Sequence, residues 1–486
     1  MSEKAIMRED LVKITDNLYE IPKSFRSDMR VPARVYMNEA MIDDVLGDRS
    51  LWQLVNVATL PGIQKYAIAM PDIHQGYGFP IGGVAATAIG EGGVISPGGI
   101  GYDINCGVRL LVADASSAEL KPQMQNIATE VFKAVPSGVG KGGKLKLTEK
   151  EIDKVLMNGA KYMLERGYGT LQDTELCEEK GCMPGADASL VSTRAKKRGL
   201  DQLGTLGSGN HFLEMQAVDK IYDVEAAKAY GLQEGSVTVM IHCGSRGLGH
   251  QTCTDYVKLM MEKMEGWDYQ LPDRELVCAP FSSPVAQDYF AAMVAAANFA
   301  WANRHVIAHW TREAFQKALG NGVRLSMVYD VSHNLGKVEE HLIDGKEKRV
   351  LMHRKGATRS FGPGTPETPQ KYRSVGQPVL IPGTMGTASY VLAGKTEGME
   401  QAFGSSCHGA GRRLSRTKAK KMVGGQELRE KLEAQGIIIR CASDRGLAEE
   451  APIAYKDVDN VVSIVHEAKL ARRVARLKPL AVIKGG

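Results

Sequence analysis

The sequence has no apolar run fit to span a membrane. Its most apolar long stretch, residues 284–310, is interrupted by Gln287, Asp288, Asn298, Asn303, Arg304, His305 and His309. Polar and ionisable groups at that density are too costly in hydrocarbon. The first residues are charged where a secretory leader would carry its apolar core, so a cytoplasmic protein with no membrane partner is expected. Cysteine is scarce, and its eight residues lack the spacing of a disulfide framework. Cys177 and Cys182 lie close together, but no second pair follows, so both are read as ordinary thiols. There is little excess of either charge: 61 basic residues stand against 56 acidic ones, a net of +5. That balance permits a nucleic-acid partner without requiring one. No internal repeat or low-complexity linker divides the 486 residues. Aromatics, at 6%, are few.

Glycine is abundant, with 53 residues, and 43% of the chain is hydrophobic. A large core is available, and so many glycines favour tight turns and close backbone approaches over a simple helical bundle. Residues 148–166 carry Ile152, Val155, Leu156, Ala160 and Met163 at helical spacing, opened by a Thr148–Glu151 capping box. Residues 288–319 read as a long buried helix, and 426–435 and 460–477 as two more. The strand-like segments 94–96, 212–215, 236–241, 323–331 and 378–381 share one feature: a glycine-rich or polar turn lies at an end. Strand ends are rigid and glycine lets the backbone approach a ligand, so chemistry is expected there.

Five of the eleven histidines, His74, His211, His242, His333 and His408, sit beside glycine or at a strand end. Asp103 and Cys106 lie three residues apart in a turn, within reach of one metal ion. A thiolate with imidazoles suits zinc, cobalt or manganese, and the carboxylate admits harder ions. With His211, His242 and His333 the donors number five, more than one tetrahedral site needs, which points to two ions. Residues 138–145 nearly match a phosphate-binding loop, but Leu145 has no hydroxyl for a metal, and a flexible loop near RNA phosphate is expected instead. The glycine turns 204–209, 382–389 and 404–411 are better candidates to hold nucleotide phosphates. In the segment 403–416, His408 sits on a glycine-rich loop beside Arg412, Arg413 and Arg416. Histidine attacks phosphorus when one ring nitrogen is free and the other is held, and arginine stabilises the charge that develops. An anion-binding turn with no covalent step is the other reading of these residues.

The motifs Asp72-Ile-His-Gln-Gly-Tyr-Gly-Phe-Pro-Ile-Gly-Gly83, Asp103-Ile-Asn-Cys106, Gly207-Ser-Gly-Asn-His-Phe-Leu-Glu214, His242-Cys-Gly-Ser-Arg-Gly247, Ser332-His-Asn334, Pro382-Gly-Thr-Met-Gly-Thr-Ala-Ser389, Cys407-His-Gly-Ala-Gly-Arg412 and Lys484-Gly-Gly486 closely resemble those of the RtcB-type RNA-splicing ligases. The resemblance covers the chain from about Asp72 onward. It implies one α+β catalytic domain over residues 1–486, with a central metal and nucleotide cleft. It implies a GTP- and manganese-dependent ligase that joins RNA 2′,3′-cyclic phosphate or 3′-phosphate ends to 5′-hydroxyl ends, in tRNA splicing or RNA repair. His408 would carry GMP, which then passes to the RNA 3′-phosphate. Two Mn²⁺ ions would be held at Asp103, Cys106, His211, His242 and His333, with Cys106 as the bridge. Guanine nucleotide contacts would fall on Asn210, His211, Phe212, Leu213, Glu214, His333, Asn334, Pro382, Gly383, Thr384, Met385, Ser389, His408, Gly409, Ala410, Gly411, Tyr455 and Lys484. Asp72 is matched as the group that orients the His408 ring, and Arg412 joins the catalytic set. Thr384 stands where members often carry serine, and the hydroxyl is kept. The family often works with archease, a small activating protein.

Two other functions fit part of this pattern. A metal-dependent cyclic phosphodiesterase acting on RNA ends would use the metal donors but leaves His408 and Lys484 without a role. A non-catalytic RNA-binding scaffold leaves the donor cluster without one.

Overall fold

The computed structural model describes residues 5–485 except 91, 139 and 268. It mixes helices with two large sheets, an α+β architecture. The seven-stranded sheet runs in the order Val12–Thr15, Leu18–Ile21, Ala33–Tyr36, Ile63–His74, Ile81–Ala88, Lys346–Lys355, Asn334–Ile343. The eight-stranded sheet runs Leu325–Ser332, Gly107–Ser116, Ser236–Cys243, Phe212–Ile221, Ala471–Lys484, Ser389–Gly394, Pro378–Ile381, with Ile438–Cys441 added in parallel beside Ala471–Lys484. Leu325–Ser332 ends one sheet order and Asn334–Ile343 ends the other, so His333 alone separates the two sheets along the chain.

The 288–319 expectation corresponds to a helix over Pro284–Leu319, 36 residues or about 54 Å long. Pro284 starts it with a preset φ, and it is apolar on nearly every side. It is therefore a core helix: Trp301, Phe299 and Val306 are fully buried, and it packs on Met124–Ala134, Glu149–Glu165 and Arg246–Lys263. No described helix is long and apolar enough to cross a membrane. The helix Glu149–Glu165 carries the expected capping box, with Glu151 accepting from the Thr148 amide at 2.8 Å. At Gly159 (φ +53°) its backbone is non-helical, and only glycine fits there, since a Cβ would meet the Gly181 carbonyl oxygen at 2.3 Å.

The short helix expected at 426–435 lies at Gly425–Ala434, and the expected strands lie at Val94–Ile95, Phe212–Ile221, Ser236–Cys243, Leu325–Ser332 and Pro378–Ile381. One expectation fails. The helix read over 460–477 ends at Glu467, and Lys469 takes a left-handed φ of +60°. Residues Ala471–Lys484 then form a strand between Phe212–Ile221 and Ser389–Gly394. Long-range pairing on both edges overrides the helical spacing of the apolar residues there. The near match to a phosphate loop makes no cradle among the described residues, Val139 lying outside them. The Lys144 ammonium sits 5.5 Å above the Trp310 ring, and half-buried Leu145 packs on the core.

Candidate active site

The donor side chains converge because four strand ends share one level of the eight-stranded sheet. Gly107 is paired with Cys243 on one side and Ser332 on the other, and His242 is paired with Phe212. Cys106, His333 and His211 each stand one residue beyond those pairs. The Asp103–Cys106 turn closes through Cys106 N–H to the Asp103 carbonyl at 2.9 Å, with Asn105 at φ +51°. Its backbone is tied down from behind by Arg304, which is fully buried and ion-paired to Asp330 at 2.7 Å. Arg304 Nη1 donates to the Asn105 and Cys243 carbonyls, both at 2.8 Å. One guanidinium thus links two donor-bearing turns to the strand that leads to His333.

Cys106 Sγ lies 3.4 Å from His211 Nε2 and 3.4 Å from His242 Nε2. His242 Nε2 is 3.3 Å from His333 Nε2, and His211 Nε2 is 2.9 Å from Asp103 Oδ2. Two groups of donor atoms result, each within 4.8 Å: Cys106, His242 and His333, and Asp103, Cys106 and His211. Cys106 belongs to both. His211 Nδ1 faces the Leu206 carbonyl at 3.1 Å, which turns Nε2 toward the cluster. Burial and the neighbouring imidazoles hold His242 and His333 well below the usual histidine range, so both are neutral with free lone pairs. Burial, with Asp103 beside it, pushes the Cys106 thiol up to about 12. Burial raises Asp103, but the His211 imidazole outweighs it and holds the carboxyl at about 2. The neutral imidazoles of His242 and His333, the Asp103 carboxylate, the Cys106 thiol and His211, which the neighbouring cysteines and Asp103 hold well above the usual histidine range against its burial, form a donor set that fits divalent metals of borderline softness, a cation displacing the protons of Cys106 and His211.

His408 comes from the opposite side. It follows the Ser405–Cys407 strand, which pairs with Ala357–Arg359. Asp72, fully buried near the end of Ile63–His74, receives three N–H groups on Oδ2: His408 Nδ1 at 2.6 Å, the His408 amide at 3.0 Å and the Gly409 amide at 3.3 Å. Gly411 (φ +76°) makes this approach possible, since a Cβ there would lie 2.3 Å from the Asp72 carbonyl oxygen. The His408 ring centroid is 4.7 Å from that of His333. A held Nδ1–H leaves Nε2 with its lone pair, the state required for attack on phosphorus.

Both groups open into one cleft of about 570 Å³. Of the residues expected from the sequence, Asp103, Cys106, Asn210, Phe212, Glu214, His242, His333, Asn334, Pro382, Gly383, Thr384, Met385, His408, Gly409, Ala410, Gly411, Arg412, Tyr455 and Lys484 line it. Asp72 and His211 stand just behind, bonded to wall residues. Ser389 is also set back, accepting from the Gly383 amide at 3.0 Å. Leu213 is fully buried in the core and does not reach the cleft. Burial lifts Glu214 to about 8, so it stands protonated at neutral pH beside Gln216, which donates to it at 2.7 Å. Lys484 is buried and donates to the His211 carbonyl at 3.4 Å, and burial lowers it. Arg412 lines the wall, yet Nη1 donates to Glu450 at 2.8 Å and Nη2 to the Glu449 carbonyl at 2.9 Å. Its guanidinium braces the cleft around Glu450, which Arg416 also contacts at 2.9 Å. Sequence reasoning gave no role to Tyr77, Tyr102, Lys355 or Glu450, all of which line the cleft. Lys355 had a visible signal: it ends a strand just before Gly356, the same pattern that marked the other sites.

A family profile described as "tRNA-splicing ligase RtcB" matches residues 53–485. A tRNA-splicing ligase RtcB of Thermococcus kodakarensis is 56% identical over 484 residues, 99% of this chain and 100% of its own length. One of Archaeoglobus fulgidus is 52% identical over 478 residues, covering 98% and 99%. An RNA-splicing ligase RtcB of Mycobacterium tuberculosis is 54% identical over 435 residues, covering 89% and 100%. With residues 53–485 accounted for by the family profile and relatives matched almost end to end, the chain belongs to the RtcB family.

Proposed function

We propose that the chain is a GTP- and Mn²⁺-dependent RNA ligase that joins 3′-phosphate or 2′,3′-cyclic phosphate ends to 5′-hydroxyl ends. The observation that carries this reading is the pairing of His408 Nδ1 with Asp72 at 2.6 Å inside the cleft that holds the donor cluster. Asp72 fixes the ring tautomer and balances the positive charge that grows on it, leaving Nε2 to attack the α-phosphorus of GTP. The bond to pyrophosphate breaks and a histidine–GMP phosphoramidate forms on His408. An oxygen of the RNA 3′-phosphate then takes the GMP, which frees His408. The 5′-hydroxyl attacks the 3′-phosphate phosphorus, and GMP leaves. A cyclic phosphate enters this sequence after water opens it to the 3′-phosphate. Asp103, Cys106, His211, His242 and His333 would hold manganese, which neutralises charge on the crowded phosphates. Glu214, protonated and next to Lys484, is suited to read the polar edge of a guanine. The named RtcB relatives support an RNA-joining activity in tRNA splicing.

Incubation with Mn²⁺ and α-labelled GTP tests the reading. Acid-labile label should remain on the protein and disappear in His408→Ala. A cyclic phosphodiesterase without nucleotide activation predicts no label on the unaltered chain, and that result would overturn the proposal.

A further inference from the structure

One wing of the cleft has no part in the chemistry above. It is built from the Gln75–Phe79 turn and the Gly101–Tyr102 turn, and Tyr77, Tyr102 and Lys355 face the cavity from it. The first turn is anchored at almost every backbone group. Gln53 bonds both the Gly76 carbonyl at 2.7 Å and the Gly76 amide at 3.0 Å. Glu275 accepts from the Gly78 amide at 3.0 Å, and the Lys355 ammonium donates to the Tyr77 and Phe79 carbonyls. Within this turn Phe79 is fully buried against His353, the part a core needs. Tyr77 is half-buried instead and meets Tyr102 edge-to-face at 5.3 Å. Tyr102 in turn stacks on exposed His250 at 5.0 Å and 29°. The three rings form a continuous row running in from exposed His250 through Tyr102 to Tyr77, and Asp103 directly follows Tyr102 along the chain.

We propose that Tyr77 and Tyr102 form a stacking platform for the terminal nucleobase of a single-stranded RNA end entering the cleft. The inference rests on the reading of the chain as an RNA-joining enzyme and assigns the place where its substrate is gripped. Splayed RNA bases are commonly held on aromatic faces, and stacking is tolerant of sequence because every base has a π-face. A rigid turn with a ring left partly open to a cavity suits that use. The position next to Asp103 sets the terminal phosphate or hydroxyl of a stacked nucleotide beside the donor cluster. Either strand end brings the same chemistry, a terminal base on a flexible backbone.

The test uses the full chain with Mn²⁺ and without GTP, so that binding is read apart from the labelling of His408. Two oligonucleotides carry 2-aminopurine, one at a 3′-phosphate end and one at a 5′-hydroxyl end. Quenching of fluorescence in either arm supports the platform and names the strand. Tyr77→Ala should abolish the quenching and weaken binding about tenfold, while Tyr77→Phe keeps both. Manganese content and the melting temperature report whether Tyr77→Ala keeps its fold. Tyr102→Ala should repeat the loss. No quenching in either arm would overturn the proposal, as would quenching unchanged in Tyr77→Ala or a Tyr77→Phe variant as weak as Tyr77→Ala. If the unaltered chain binds and quenches RNA yet takes no label from GTP, the functional reading fails while the platform stands.

Discussion

The donor cluster and the His408 loop share a cleft but are held in different ways. The cluster is fixed by the register of one sheet: neighbouring strands end at the same level, and buried Arg304 ties their turns together. The His408 loop follows the paired strand Ser405–Cys407, and at His408 and Gly409 it is tied to the other sheet by one carboxylate, Asp72, through three N–H groups. Redundant backbone pairing makes the first arrangement robust to loss of any one hydrogen bond. The orientation of the His408 ring depends on one side chain. Metal holding and nucleophile orientation should therefore fail separately.

The largest effects would break this separation if it is wrong. Cys106→Ala removes the one donor common to both groups, so manganese content measured by elemental analysis should fall to background and GMP labelling with it. His408→Ala should also abolish labelling, yet retain manganese at the level of the unaltered chain. Equal metal loss in the two variants would show that cluster and loop are one unit. Asp72→Asn comes next. It keeps the shape of the buried side chain but removes the negative charge that faces the ring nitrogen, and the rate of self-guanylylation should drop about a hundredfold with metal content unchanged.

Acid should distinguish the regions more gently. Burial holds His74, His305 and His353 at about 4, against 6.5 for an ordinary histidine. The folded state binds these protons more weakly than the unfolded state does. The associated stability is thus complete above pH 6.5 and is lost as pH falls toward 4. The melting temperature should be flat from pH 7 upward and decline through that window. His353→Gln, which keeps an acceptor for the Ser96 amide but does not titrate, should show a shallower decline. At the small end stands Cys182→Ala. The thiol is half-buried and belongs to neither donor group, so stability should change by no more than about 0.5 kcal/mol and metal content not at all.

The sequence carried the strand ends well, because glycine-rich turns after β-branched runs are a local signal. It also carried the long core helix, whose apolar residues fall on nearly every side. The first half of the strand Ala471–Lys484 falls within the 460–477 helix expectation, since what makes it a strand is pairing with Phe212–Ile221 and Ser389–Gly394, far away in the chain. The donors could be suspected one by one, but Cys106, His211, His242 and His333 are separated by long intervals. Only the register of the four strands brings them together, and register is not local information. Arg412 shows the opposite limit: an arginine beside His408 suggested an anion clamp, and the Glu450 that occupies it lies 38 residues on. Tyr77 and Tyr102 carry no local signal, because a lone tyrosine in a glycine turn has no periodicity to mark it.

The most direct test of the account is the intact mass of the chain after exposure to GTP and Mn²⁺, followed by peptide mapping. An adduct of one GMP is expected, confined to the peptide that holds His408 and absent from Asp103-to-Cys106 peptides. A chain that stays unmodified while still joining RNA ends, or an adduct on another residue, would contradict it.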